Sequence, residues 1–290
     1  MVTPVQRRAV VTDACRGHEL PLARACRYIG LHRSLVRYQR RREQPSGLLE
    51  RLDTLAQKKP AWGSPRLTWL LRREGWRVNH KRIERLLRIT HALVGQRPKP
   101  KRAAATRVPS PVPTQADERW SMDFMRDTLA DGRPYRIWTL VDDATREAPL
   151  LVVDRSLGAS RVVEASELLI SARGLPRTIV CDNGPEFTSL ALDQWASARE
   201  VRLDFIRPGR PVENCFIESF NGKLRAECLN RHHFTTLEEA RRIIEAWRIE
   251  YNTARPHKGL KQQTPAAYAA FLTTQTGDVL THRSSDAVLA

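Results

Sequence analysis

Apolar residues recur three and four positions apart up to about residue 90, and alternate in short runs from residue 119 onward. The first pattern is helical and the second strand-like. Leu20-Pro-Leu-Ala-Arg-Ala-Cys-Arg-Tyr-Ile29 carries the helical spacing, and Gly30 offers it a C-terminal stop. After a short turn, His32-Arg-Ser-Leu-Val-Arg-Tyr38 is basic and helix-compatible. Residues 5–42 are therefore expected to form three short helices with a helix-turn-helix pattern. A second all-helical unit is expected over about 48–90. Pro65 suits the first turn of a helix running to Glu74, and Asn79 suits the N-cap of a helix Lys81–Arg88.

The strand-like part begins near Arg119. Arg119–Arg126 reads as a strand, Asp131-Gly132 as a hairpin turn, and Tyr135–Asp142 and Pro149–Asp154 as the next two strands. A helix is expected over about 159–173, broken by Gly174-Leu-Pro176. Arg177–Cys181 follows as a fourth strand, then a helix over about 188–199 and a fifth strand at Val201–Ile206. A long helix starts near Pro211. Three strands in series, then alternating helices and strands, predict an α/β domain with helices flanking a mixed sheet.

Residues 96–118 separate the two parts. Gln96-Arg-Pro-Lys-Pro-Lys-Arg102 and Val108-Pro-Ser-Pro-Val-Pro113 are too rich in proline for helix or sheet, so a partly extended linker is expected, basic enough to track a DNA backbone. Charge divides at the same place. The chain holds 49 Lys and Arg against 32 Asp and Glu, a net of +17. Residues 1–116 hold 26 basic and 7 acidic residues, a net of +19; residues 117–290 hold 23 and 25, a net of −2. A basic helical arm on a nearly neutral body points to nucleic acid as the arm's partner. No stretch approaches 18 uninterrupted apolar residues, which excludes a membrane span of ordinary length. Met1-Val-Thr-Pro-Val-Gln-Arg-Arg8 lacks the apolar core of a signal peptide, and five cysteines without a Cys-x-x-Cys pair read as reduced thiols. A cytoplasmic protein is expected. The spacing of Cys15, His18, Cys26 and His32 matches no common zinc pattern.

Three acidic residues stand out in the body. Asp123 lies inside the strand-like Trp120-Ser-Met-Asp-Phe124. Asp182 ends a strand and opens a turn in Thr178-Ile-Val-Cys-Asp-Asn-Gly-Pro-Glu-Phe187. Glu218 lies in the helix-like Asn214-Cys-Phe-Ile-Glu-Ser-Phe-Asn-Gly-Lys-Leu-Arg225. Between the last two acids run 35 residues, 183 through 217. Each has a plain structural alternative: an exposed strand acid, an Asx-turn residue, an exposed helix acid. Together they offer the oxygen ligands that Mg2+ and Mn2+ prefer. Two such ions, roughly 3.5–4 Å apart, stabilise both the attacking and the leaving oxygen of an in-line phosphoryl displacement. Asn214, Glu218, Gly222 and Arg225 share one helical face. Gly222 there is open to two readings, close approach of DNA or close packing. Asp142, Asp143, Glu186, His232, His233 and His257 are read without catalytic roles.

Trp120-Ser-Met-Asp123, Asp182-Asn-Gly-Pro-Glu-Phe187, Asn214 through Leu224 and Tyr251-Asn-Thr-Ala-Arg-Pro-His257 occur in one order in one chain. In these residues the chain resembles the DDE transposases of bacterial insertion sequences, specifically the second-frame (OrfB) product of the insertion-sequence-three family, from about residue 5 to about 272. Trp62-Gly-Ser-Pro-Arg66 resembles the tyrosine- or tryptophan-glycine-x-x-arginine motif of that family's second helix-turn-helix.

The resemblance implies a ribonuclease H-like (retroviral integrase) catalytic core with a mixed five-stranded sheet, preceded by all-α helix-turn-helix regions. Its domains would be 1–45 and 46–95 for DNA binding, 96–118 as the basic linker, 119–272 as the catalytic core and 273–290 as a tail. Asp123, Asp182 and Glu218 would be both catalytic residues and ligands of Mg2+ or Mn2+, two ions to a site. Water would attack one phosphodiester at the element's end, and the freed 3′-hydroxyl would attack another. DNA contacts would come from Arg225, seven positions after the glutamate, and from Lys223 and Asn214 in the core. In the arm they would come from Arg33, Arg37, Arg66, Lys81, Arg82 and Arg85. The partners would be terminal inverted repeats and target DNA, further copies of the chain assembled on DNA, and the upstream-frame protein. Two alternatives stay open: a non-catalytic DNA-binding regulator, which the acidic triad speaks against, and a metal-dependent nuclease without strand transfer.

Overall fold

Side chains of β1 (Arg119–Thr128) alternate between two helical layers, and that alternation organises the catalytic body. The computed structural model describes residues 4–37, 47–90, 113–207 and 214–274. The linker expected over 96–118 lies mostly outside these. β1 pairs antiparallel with β2 (Pro134–Asp142), which pairs antiparallel with β3 (Leu150–Asp154). On its other edge β1 runs parallel to β4 (Thr178–Cys181), and β4 parallel to β5 (Arg202–Phe205). The five-stranded mixed sheet has the order β3-β2-β1-β4-β5.

Trp120 and Met122 face a core shared with Val162 and Ile170 of α7 (Ala159–Arg173) and Leu192 and Trp195 of α8 (Leu190–Ala198). Met125, with Ile137 and Val141 of β2, faces the opposite core. There Ile217, Phe220 and Leu224 of α9 (Cys215–Glu227) meet Ile244 and Tyr251 of α10 (Leu237–Thr253). A last helix covers 265–274. The helix expected from near Pro211 is described from Cys215; residues 208–213 lie outside the described set.

The chain divides into two compact units, Met1–Arg51 and Leu52–Ala290. In the first, α1 (Pro4–Gly17), α2 (Leu22–Ile29) and α3 (Arg33–Val36) are the three expected helices, packed around Val11, Ala25, Cys26 and Leu31. Gly30 ends α2 at φ 64°, the left-handed conformation that an L side chain disfavours. α3 is a single turn, shorter than the basic stretch that predicts it. α4 (Leu48–Lys58) carries the boundary between the units. In α5 (Ser64–Arg73) Pro65 occupies the first turn. Asn79 caps α6 (His80–Ile89), its side chain accepting the Lys81 N–H at 3.1 Å. Leu67 and Leu71 of α5, and Ile83, Leu86 and Leu87 of α6, are buried. Among the described residues no helix is long and apolar enough to cross a membrane.

Candidate active site

Asp123 stands mid-strand opposite Thr139, on the face of β1 that looks toward α9. Its carboxylate is held from two sides. Oδ1 accepts the Phe124 N–H at 2.7 Å, and Oδ2 accepts the Asn221 side-chain amide at 2.8 Å. Burial pushes the carboxyl up to about 6; the negative charges of Asp182 and Glu218 push the same way, and the two hydrogen bonds oppose it. Asp123 therefore feels the charges of Asp182 and Glu218, although the three come from β1, the end of β4 and α9. Glu218 lies in the first turn of α9, where the helix dipole favours negative charge.

Asp182 is fixed by its own turn. Its Oδ1 accepts the Gly184 N–H at 3.0 Å, and Asn183 donates to the Ile206 carbonyl at 2.8 Å, tying the turn to the end of β5. A Cβ on Gly184 would stand 2.9 Å from Asp182 Oδ1. A side chain at this position would displace the Asp182 carboxylate. Glu186 pairs with Arg136, whose guanidinium lies 4.3 Å from the centre of the Phe124 ring; Phe124 stacks on Phe187 at 4.9 Å. Asp142 accepts the N–H groups of Ala144, Thr145 and Asp117, and Asp143 accepts Ser121 Oγ and Arg119 Nε. These acids brace backbone and strand ends.

The expected DNA contacts separate on the structure. Asn214 is buried, and its amide donates to the Met122 carbonyl at 3.4 Å, so it anchors the start of α9 to β1 beside Asp123. Arg225 donates to the Arg126 carbonyl at 2.9 Å and reaches Asp127 at 3.5 Å, with its side chain 42% exposed. Gly222 is exposed, and a Cβ there meets nothing within 4 Å, which removes close packing as its reason. Lys223, five positions after Glu218, is turned roughly 140° around the helix from it. It donates to Ser219 Oγ at 2.8 Å, and burial with the charge of Arg255 lowers its amine to about 8. Arg66 turns into the protein toward Glu227. Lys81 and Arg85 are exposed and Arg82 half-exposed on α6; Arg33 and Arg37 are exposed in the first unit.

Two residues escaped the sequence reading. Asn221 lies three positions after Glu218, a spacing that places both on adjoining turns of one face. Glu227 is the centre of a buried ion network: Arg255 donates to it through Nη2 at 2.6 Å and Nε at 2.8 Å. Burial opposes the Glu227 charge, but Arg255 and Arg66 outweigh it and hold the carboxyl below its usual range. No local signal marks Glu227 as different from any other helix acid.

Hard divalent cations take oxygen donors, and this cluster presents only oxygens. Besides the carboxylates, the Oδ1 atoms of Asn214 and Asn221 are buried without a hydrogen-bond partner. Among the described residues, no three His, Cys, Asp or Glu side chains stand close enough to hold an ion as they are arranged. The donor chemistry nonetheless fits a hard cation, because buried Asp123, whose proton affinity the charges of Asp182 and Glu218 raise further, gains from a positive charge beside it.

An HTH-like domain model matches residues 44–101, and integrase core domain models match 113–211 and 199–265. The uncharacterized 31.7 kDa protein of insertion element IS407 of Burkholderia multivorans is 44% identical over 85% of this chain and 90% of its own length. The uncharacterized 39.2 kDa protein of insertion element IS476 of Xanthomonas euvesicatoria is 39% identical over 94% of this chain and 80% of its own. The chain belongs to the insertion-element transposases. A further relative is the transposase for insertion sequence element IS904 of Lactococcus lactis, 31% identical over 31% of this chain and 36% of its own length. A chain in the cryoEM structure of the simian T-cell lymphotropic virus intasome in complex with PP2A regulatory subunit B56 gamma is similar at TM-score 0.49. It is 15% identical, over 76% of this chain and 74% of that one. As a transposase of the OrfB type with an integrase core, the protein is a DNA-binding polynucleotidyl transferase.

Proposed function

We propose that Asp123, Asp182 and Glu218 are the catalytic acids of this transposase and hold two Mg2+ or Mn2+ ions between them. The observation that carries this is the shared electrostatic neighbourhood of three acids from three separate elements, with Asp123 raised to about 6 by burial and by the other two. Bound there, the cations supply charge stabilisation to the attacking and leaving oxygens. The chain's own groups do the rest. Asn221 and the Phe124 N–H orient the Asp123 carboxylate. Asn214 ties α9, and with it Glu218, to β1, and Gly184 leaves room for Asp182.

Two in-line displacements follow. Water attacks a phosphodiester at the element's end, breaking the bond to the 3′-oxygen and releasing a 3′-hydroxyl and a 5′-phosphate. That hydroxyl then attacks a second phosphodiester, forming one P–O bond as another breaks. Bond number is conserved in the second step, so neither ATP nor a covalent enzyme intermediate is needed. The cations of α6, exposed Lys81 and Arg85 and half-exposed Arg82, with Arg33 and Arg37 in the first unit, hold the element's ends. Arg225, on the same face of α9 as Glu218, contacts the DNA backbone near the acids. Family membership supports terminal inverted repeats and target DNA as partners, a homo-oligomer assembled on DNA as the working form, the upstream-frame protein as a further partner, and the cytoplasm as the place of action.

The test is a nicking and joining assay on labelled element ends with Mg2+. Asp123→Ala, Asp182→Ala and Glu218→Ala should each abolish both steps while end binding persists. Near-parental strand transfer by any one of them overturns the triad.

A further inference from the structure

Trp62-Gly-Ser-Pro-Arg66 was expected to meet DNA through Arg66; in the structure it meets the catalytic core. Trp62 is 4% exposed, and its indole N–H donates to Glu227 Oε2 at 3.3 Å. Arg66 Nη1 donates to Glu227 Oε1 at 3.4 Å. Beside them Lys59 pairs with Glu250 of α10, its ammonium 5.7 Å from the centre of the Trp62 ring. From the core side Arg255, 3% exposed at its side chain, binds both oxygens of Glu227. One carboxylate thus takes donors from Trp62, Arg66 and Arg255. Burial makes such a network specific in geometry, because any donor that slips leaves charge unpaired.

Glu227 is the last residue of the helix that carries Glu218, nine positions away, or about 13 Å along the axis. On the other side of the joint, Trp62 and Arg66 introduce α5, which packs against α6 with its exposed cations. Lys81, Arg82 and Arg85 are thus connected to Glu218 by the packing of α6 on α5, the Trp62 and Arg66 bonds to Glu227, and the length of α9.

We propose that Trp62 and Arg66 are positioning residues that lock the α5–α6 unit to α9 through Glu227, and so set which phosphodiester is cut relative to the DNA that the unit holds. This rests on the reading that α5–α6 binds element ends and that Glu218 is catalytic. The distances suit the role. Successive phosphates of one strand are about 3.4 Å apart along the helix axis, so a joint loosened by a few ångströms presents a neighbouring bond to the site.

The experiment maps cut positions at nucleotide resolution on end-labelled element DNA with Mg2+ and the full chain. The proteins are the parent, Trp62→Phe, Arg66→Ala, the double variant, and the same changes on Glu227→Gln. The parent should cut at one phosphodiester. Trp62→Phe, which keeps a ring and removes only the N–H, and Arg66→Ala should shift part of the cutting by one or more nucleotides. Their dissociation constants for end DNA should stay within about threefold of the parent's. On Glu227→Gln they should add no further shift. Variants that cut less but at the parental position, or whose shifts are undiminished on Glu227→Gln, overturn the inference alone; Trp62→Phe decides if the double variant does not fold. A folded parent that binds ends and leaves them uncut overturns the catalytic reading and this inference with it.

Discussion

Asn221 donates its side-chain amide to Asp123 at 2.8 Å, from α9 to β1 and across 98 residues of sequence. The bond favours the ionised carboxylate and fixes its orientation, against burial that favours the protonated form. Partners of this kind typically contribute 10–100-fold to metal affinity or activity. Asn221→Leu should therefore raise the Mg2+ concentration for half-maximal cleavage by about that factor, with end binding unchanged. An unaltered Mg2+ dependence would show that Asn221 only fills space.

The two glycines of the site should respond oppositely to alanine. At Gly184 the new Cβ would stand 2.9 Å from Asp182 Oδ1, so Asp182 has to move. Gly184→Ala should lose most cleavage while the melting temperature changes little. At Gly222, inside α9, the new Cβ meets open space, and the helix should gain about 0.5–1 kcal/mol. Thermal unfolding of both variants, set beside their cleavage rates, checks the pair. A fully active Gly184→Ala or a destabilised Gly222→Ala contradicts the geometry.

Arg225 pairs at the surface with Asp127, an interaction worth about 0–1 kcal/mol. Arg225→Ala should scarcely change stability. If DNA runs along this face of α9, it should nevertheless slow strand transfer at unchanged metal affinity, and Arg225→Lys should keep part of the rate, since a phosphate accepts a point charge. Joining at the parental rate across a range of salt would leave Arg225 as half of a surface ion pair.

The Glu227 network should make the fold acid-sensitive. Burial, with the charge of Arg255 next, lowers His257 to about 2 against 6.5 for a free imidazole. The unfolded chain then binds a proton that the folded one refuses, so stability falls as pH drops below about 6.5, by at most about 1.4 kcal/mol per pH unit. Glu227 has the same sign. Its folded value lies below the ordinary 4.5, so its contribution is present above that pH and lost as pH falls through the folded value. Denaturant midpoints at pH 7.5 and 5 should differ markedly in the parent and less in His257→Gln. Equal pH dependence would mean that His257 is protonated in the fold.

The order of strands and helices, the stop at Gly30, the first-turn Pro65 and the cap at Asn79 were legible in the sequence, because each depends on neighbours within about four residues. So was the choice of Asp123, Asp182 and Glu218 as a set, since a recognisable run of residues surrounds each. The environment of those acids was not legible. Asn221 reaches Asp123 only because α9 packs across β1 and β2, and Asp182 lies near Asp123 only because the sheet order puts β4 beside β1. Local chemistry made Arg66 and Asn214 good candidates for DNA; tertiary packing turned one toward Glu227 and buried the other against Met122. A guanidinium or an amide has the same donors whether it faces a phosphate or a carboxylate 161 residues away. Only the folded chain decides which of them it meets, because that depends on how helices rotate and pack and not on the residues beside it.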